Sequence, residues 1–68
     1  MKSVNEKFKK LRLENGYTQQ YVATYLEIDR SNYSKYELGK LELNLTILKK
    51  LCLLYGVSAD EILGLKDI

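Results

Sequence analysis

Arg30, Ser31, Ser34 and Lys35 stand within RSNYSKYELGK, residues 30–40. In a helix of 3.6 residues per turn, each residue advances about 100° around the axis. These four then share one arc of roughly 140°. Tyr33 and Tyr36 fall on the opposite side, with Glu37 beside them. One edge thus offers a guanidinium, two hydroxyls and an ammonium, all hydrogen-bond donors.

Other chemistries lack their parts. There is no histidine, and Cys52 is the single cysteine. A histidine base, a zinc site and an internal disulfide are therefore excluded. Cys52 reads as a small buried apolar residue on a helix. No carboxylate pair, nucleophile–base set or phosphate loop is found, so neither an enzyme nor a cofactor is expected.

The chain has 68 residues, 46% hydrophobic and 29% charged, with a net charge of +2. One domain is expected, too small for a cleft between domains. Its stability should be only a few kcal/mol. The longest apolar run, Leu51 to Tyr55, is far short of the roughly 18 residues that span a bilayer. The start, MKSVNEKFKK, lacks the apolar stretch of a signal peptide. A cytoplasmic protein without a membrane partner is expected. Charge is unevenly placed: Lys2, Lys7, Lys9, Lys10 and Arg12 load the front, and Asp60, Glu61 and Asp67 load the tail. Such asymmetry can orient a protein on a polyanion.

The elements that must hold the polar edge are helices. The chain has no proline and no alternating run of strand length. Ser3 with Glu6 reads as a capping box for a first helix, with Val4, Phe8 and Leu11 inward and Asn15-Gly16 at its end. Thr18 caps a second helix, whose inward face is Val22, Ala23 and Leu26. Glu27-Ile28 connects it to a third, capped by Asp29 and ended by Gly39. Asn44 caps a fourth, with Leu45, Leu48, Leu51 and Cys52 as its apolar positions and Gly56 as its stop. Ser58 with Glu61 forms a capping box for a fifth, ending near Gly64. The short link between the second and third helices forces a steep crossing. Tyr17, Tyr33, Tyr36 and Tyr55, interleaved with basic residues, either stack on single-stranded bases or fill the core, while Tyr21 and Tyr25 lie on a flank of the second helix.

The stretch TQQYVATYLEIDRSNYSKYELGK resembles the helix-turn-helix of the Cro/repressor, or Xre, family. The likeness extends back through LRLENGYTQ and forward through LKKLCLLYGVSADEIL, covering residues 4–64. It rests on Arg12, Thr18-Gln19, Ala23, Ile28, Ser34, Glu37, Gly39-Lys40 and Gly56-Val57-Ser58 in that order. The resemblance implies an all-α, five-helix, lambda-repressor-like domain that binds double-stranded operator DNA, usually as a homodimer. It implies a transcriptional regulator of bacterial or phage type, located with the nucleoid. The third helix would lie in the major groove. Arg30 would then read a guanine by bridging N7 and O6. Ser31 and Ser34 are short enough to approach base edges, Lys35 can reach a base or phosphate, and Asn32 lies at the rim. Thr18 and Gln19 match the start of a second helix that touches the sugar-phosphate backbone, where free N–H groups favour phosphate. Lys40 is a phosphate clamp in the same reading. Arg12 and Glu37 match a pair that joins the first helix to the end of the third.

Two places depart from the pattern. Glu27 stands where the family usually has glycine, in a turn that often needs positive φ. LELNL, residues 41–45, replaces a loop that is commonly basic, which removes expected backbone contacts beyond Lys40. Leu41 and Leu43 there either cover core or meet a partner. Leu65 and Ile68 add apolar surface beyond what a short fifth helix needs and are the expected dimer residues, since the family self-associates near that helix. Two other readings keep the fold. One is an antitoxin whose main partner is a small toxin protein, and the other is a protein-interaction module that no longer binds DNA.

Overall fold

A computed structural model describes residues 2–64, and these form five helices with no strand among the described residues. They are α1 (Lys2–Glu14), α2 (Gln19–Leu26), α3 (Arg30–Glu37), α4 (Leu45–Tyr55) and α5 (Ala59–Leu63). The all-α expectation holds. The helix starts were readable because each cap is a local bond. Thr18 accepts from the Tyr21 N–H, Asn44 from Ile47 and Ser58 from Glu61. Each such cap stabilises its helix by about 1 kcal/mol. The first start differs: α1 is already under way at Lys2, so Ser3 lies inside the helix and not at the position before it. Asp29 sits at the cap position of α3 with extended backbone, but its side chain makes no capping bond.

Four helices end in one shared motif. The Tyr17, Ile28, Lys40 and Val57 N–H groups bond back to the carbonyls of Arg12, Ala23, Lys35 and Cys52, five residues earlier. The residue just before each must adopt a left-handed conformation. Gly16 (φ 70°), Gly39 (φ 75°) and Gly56 (φ 66°) do so without strain. Glu27 does it at φ 61° and ψ 39°, and is the single non-glycine residue at positive φ among those described.

The core gathers Val4 and Phe8 from α1, Val22, Ala23 and Leu26 from α2, and Tyr33 from α3. Leu43 from the loop before α4, Ile47, Leu48, Leu51 and Cys52 from α4 and Ile62 from α5 complete it. Ala23 is fully buried where α2 meets α3, and its small side chain lets the two helices approach. Removing Leu26 or Leu51 from water contributes about 1.5–3 kcal/mol each. Two apolar assignments change. Leu45 is exposed, and Ile47 takes the inward position on α4 instead. Leu43, in the loop, is buried and covers the core, while Leu41 stays exposed. Tyr17, Tyr36 and Tyr55 pack against the core as half-buried rings, and Tyr21 lies against Tyr17 with ring centroids 4.5 Å apart. Leu65 and Ile68 lie outside the described residues.

Candidate nucleic-acid interface

α3 is two-sided. Tyr33 is only 1% exposed, whereas Arg30, Ser31, Asn32 and Lys35 are exposed and Ser34 is half-buried. The donor edge therefore faces outward, as the 100° spacing requires. Thr18 is exposed at the start of α2, its hydroxyl oxygen accepting from the Tyr21 N–H at 3.0 Å. Lys40 is exposed immediately after α3, where its own N–H turns the chain back onto the Lys35 carbonyl at 2.9 Å.

Beneath this edge lies a polar knot. Arg12 Nε donates to Glu37 Oε2 at 2.6 Å, and Arg12 Nη2 to Glu37 Oε1 at 3.2 Å. The two side chains are 10% and 5% exposed. A fork of this kind fixes orientation as well as distance. Arg12 Nη1 also donates to the Tyr17 carbonyl at 2.9 Å. Glu37 accepts two more bonds, from the Tyr33 hydroxyl one turn earlier and from Gln19 Nε2 at 3.0 Å. The carboxylate thus joins α1, α2 and α3.

Titration follows from that geometry. Burial pushes the Glu37 carboxyl up, but bonds from Arg12, Tyr33 and Gln19 and the Arg12 charge outweigh it. The net result lies below the usual carboxylate value. The bond to Glu37 raises Arg12 despite the opposing cost of burial. Burial raises Tyr33 strongly, and its bond to the carboxylate adds to this. Arg12⁺ and Glu37⁻ are both charged at neutral pH.

Sequence reasoning left two roles unfound. Gln19 had no structural task in the sequence, yet it is bonded to Glu37 and accepts from Arg30 Nη1 at 3.4 Å. Those partners are 18 and 11 residues away, beyond any local pattern. Asn5 is 5% exposed, and its Nδ2 donates to the Tyr36 carbonyl. A signal for it existed: Asn5, Phe8 and Arg12 recur at i, i+3 and i+7, placing two polar residues on the buried face of α1.

Among the described residues, no His/Cys/Asp/Glu group could hold a metal ion, and no helix is long and apolar enough to cross a membrane. Comparison with known proteins gives a consistent result. A family model described as helix-turn-helix matches residues 8–62. The chain is similar to the SPbeta prophage-derived uncharacterized HTH-type transcriptional regulator YonR of Bacillus subtilis (strain 168). Identity is 48% over 58 residues, 85% of this chain and 54% of that protein. It is also similar to the HTH-type transcriptional regulator ImmR of the same organism, at 36% over 66 residues, 97% of this chain and 52% of that one. The HTH-type transcriptional activator BcrR of Enterococcus faecalis is 34% identical over 64 residues, 94% of this chain and 31% of its own. The chain spans about half the length of the two Bacillus relatives. No solved structure gives a significant match.

Proposed function

We propose a function from one premise: the chain belongs to the helix-turn-helix family. It acts as a sequence-specific, double-stranded DNA-binding transcriptional regulator, with α3 in the major groove. The observation that carries this reading is the bare donor edge of α3, set on a helix whose other side is buried and tied to Glu37 and Arg12. Short or extensible polar side chains on the outward edge let such a helix approach base edges in the groove. Arg30 reads guanine, Ser31, Ser34 and Lys35 meet base edges or phosphate, and Asn32 lies at the rim. Thr18, Gln19 and Lys40 hold the backbone. Relatives named as transcriptional regulators support the same reading.

Two copies bind a palindromic operator, with half-sites about 34 Å apart. One α3 spans few base pairs, and linking two copies raises affinity without new contacts. Leu65 and Ile68, which follow α5 in the sequence, are the proposed self-association residues.

Selection of bound duplexes from a random library tests the whole reading. The expected product is a two-fold symmetric consensus with a guanine that Arg30→Ala no longer selects. If about four to six phosphates are met per copy, log affinity falls with log salt by about 0.9 per phosphate. Failure to bind any duplex at low ionic strength refutes the function. A concentration-independent monomer mass, with and without selected duplex, refutes the dimer.

A further inference from the structure

The donor edge of α3 carries one apolar residue. Leu38 caps the C-terminal end of α3 with its backbone still right-handed, at φ −80° and ψ −6°, and its N–H bonds to the Ser34 carbonyl at 3.0 Å. It therefore continues the helical spiral. Eight residues beyond Arg30, at about 100° each, it lies about 80° around the axis from Arg30. Ser34 at about 40° and Ser31 at about 100° flank it, so Leu38 stands inside the arc that runs from Arg30 to Lys35. It is not core: Leu38 is 62% exposed, whereas Tyr33 on the other side of the helix is 1% exposed.

A leucine side chain has no hydrogen bond to give a phosphate or a base. Pressed against a purine N7, a carbonyl or an amino group, it strips water and replaces none of the bonds lost, which is unfavourable. The major groove offers one apolar group, the 5-methyl of a pyrimidine, carried by thymine and by 5-methylcytosine. We infer that Leu38 is a specificity-determining residue: it packs on a pyrimidine 5-methyl group and makes the α3 edge favour a methylated pyrimidine over an unmethylated one at one position of the bound duplex. This rests on the DNA-reading function proposed for α3. The rise of the helix gives the position. At about 1.5 Å per residue, Leu38 is about 12 Å along the axis from Arg30, so the methyl lies within about four base pairs of the guanine that Arg30 reads. Lys40, exposed two residues further on and proposed to hold phosphate, puts Leu38 beside the groove wall, the side toward which a 5-methyl projects.

The experiment uses duplexes selected by the wild-type protein from unmodified DNA. Each thymine in that window is replaced singly by deoxyuridine, which deletes the methyl and leaves the pairing edge intact. One of these replacements should weaken wild-type binding about three- to fivefold, the worth of one buried methyl. Leu38→Ala should bind the thymine and uracil duplexes equally, close to wild type on uracil, and thermal melts check that it folds. The deoxyuridine series on the wild-type protein needs no variant. Cytosine and 5-methylcytosine at the same position separate the two sources of the methyl. A similar preference for 5-methylcytosine over cytosine shows that either base serves, and equal binding of the two restricts the contact to thymine; both results keep it. Indifference of the wild-type protein to every deoxyuridine, or a uracil penalty that Leu38→Ala retains, overturns the inference and leaves the DNA-reading function standing. Absence of binding by the wild-type protein to any duplex overturns both.

Discussion

Substituting both members of the buried ion pair, singly and together, measures what fixes α3. Glu37→Leu strands the Arg12 guanidinium, 90% buried by side chain, with only the Tyr17 carbonyl as partner. Breaking a buried pair from one side costs about 3–5 kcal/mol. The same substitution also orphans the Gln19 amide and the Tyr33 hydroxyl. Each orphaned donor adds about 1 kcal/mol where it stays dry. Arg12→Met is milder, because Glu37 keeps those two donors. Glu37→Leu should therefore exceed Arg12→Met by about 1–2 kcal/mol. The double variant leaves no stranded charge and should cost less than the two singles summed, with a coupling of about 2–3 kcal/mol. At 0.05–0.15 kcal/mol per residue, a domain of this size has a total stability of about 3–10 kcal/mol. The single variants therefore approach unfolding, and urea titrations followed by circular dichroism should be run in sucrose, which favours the compact state. A coupling below about 0.5 kcal/mol refutes the claim that the pair acts as a unit.

The other predictions concern single sites. Because the Glu37 value is depressed in the folded protein, its stabilisation is complete above the ordinary carboxyl range and is lost as pH falls through the lower folded value. Melting temperatures measured from pH 6 down to about 3 should fall less steeply for Glu37→Gln than for wild type; equal slopes would contradict this. Burial pushes the Tyr55 phenol up to about 12, and its hydroxyl is buried without a hydrogen-bond partner among the described residues. Its contribution is present below the ordinary phenol value and lost as pH rises toward 12, so Tyr55→Phe should soften alkaline unfolding and raise the neutral melting temperature by a few degrees; a clear drop would mean that the hydroxyl is satisfied. Glu27→Gly relieves a left-handed residue and should leave the protein equally stable or up to about 1 kcal/mol more so, with a lowered melting temperature counting against it. Lys40→Ala should weaken every duplex by a similar factor and reduce the salt slope by about 1; a change in base preference would remove it from the phosphate contacts.

Helix ends and the outward edge of α3 were legible because caps, left-handed turns and a 100° rotation are local properties. Thr18, Asn44 and Ser58 accept bonds from residues three positions on, within reach of any reading by spacing. The inward face of α4 was less legible. Its sequence LTILKKLCLLY has too many apolar residues for one stripe, so periodicity alone cannot choose between Leu45 and Ile47. Packing chose Ile47. Leu43 was undecided for a similar reason, since a loop's direction depends on the helices it joins. The pairing of Arg12 with Glu37 came from resemblance and bridges 25 residues. The bonds of Gln19 and Asn5 are equally remote in sequence, and only the assembled bundle places their partners within reach.

Asn5 and Arg12 lie seven residues apart on α1, about 10 Å along its axis. They attach to neighbouring residues, the Tyr36 carbonyl and the Glu37 carboxylate. Those two struts converge and form a triangle, which resists twisting where a single strut would leave a pivot. The trailing end of α3 is thus its bolted end. Arg30 and Ser31 project from the opposite end, where Asp29 supplies no side-chain cap. Two attachments to α1 at the trailing end fix the rotation of α3 about its own axis, and with it the direction in which the polar edge faces.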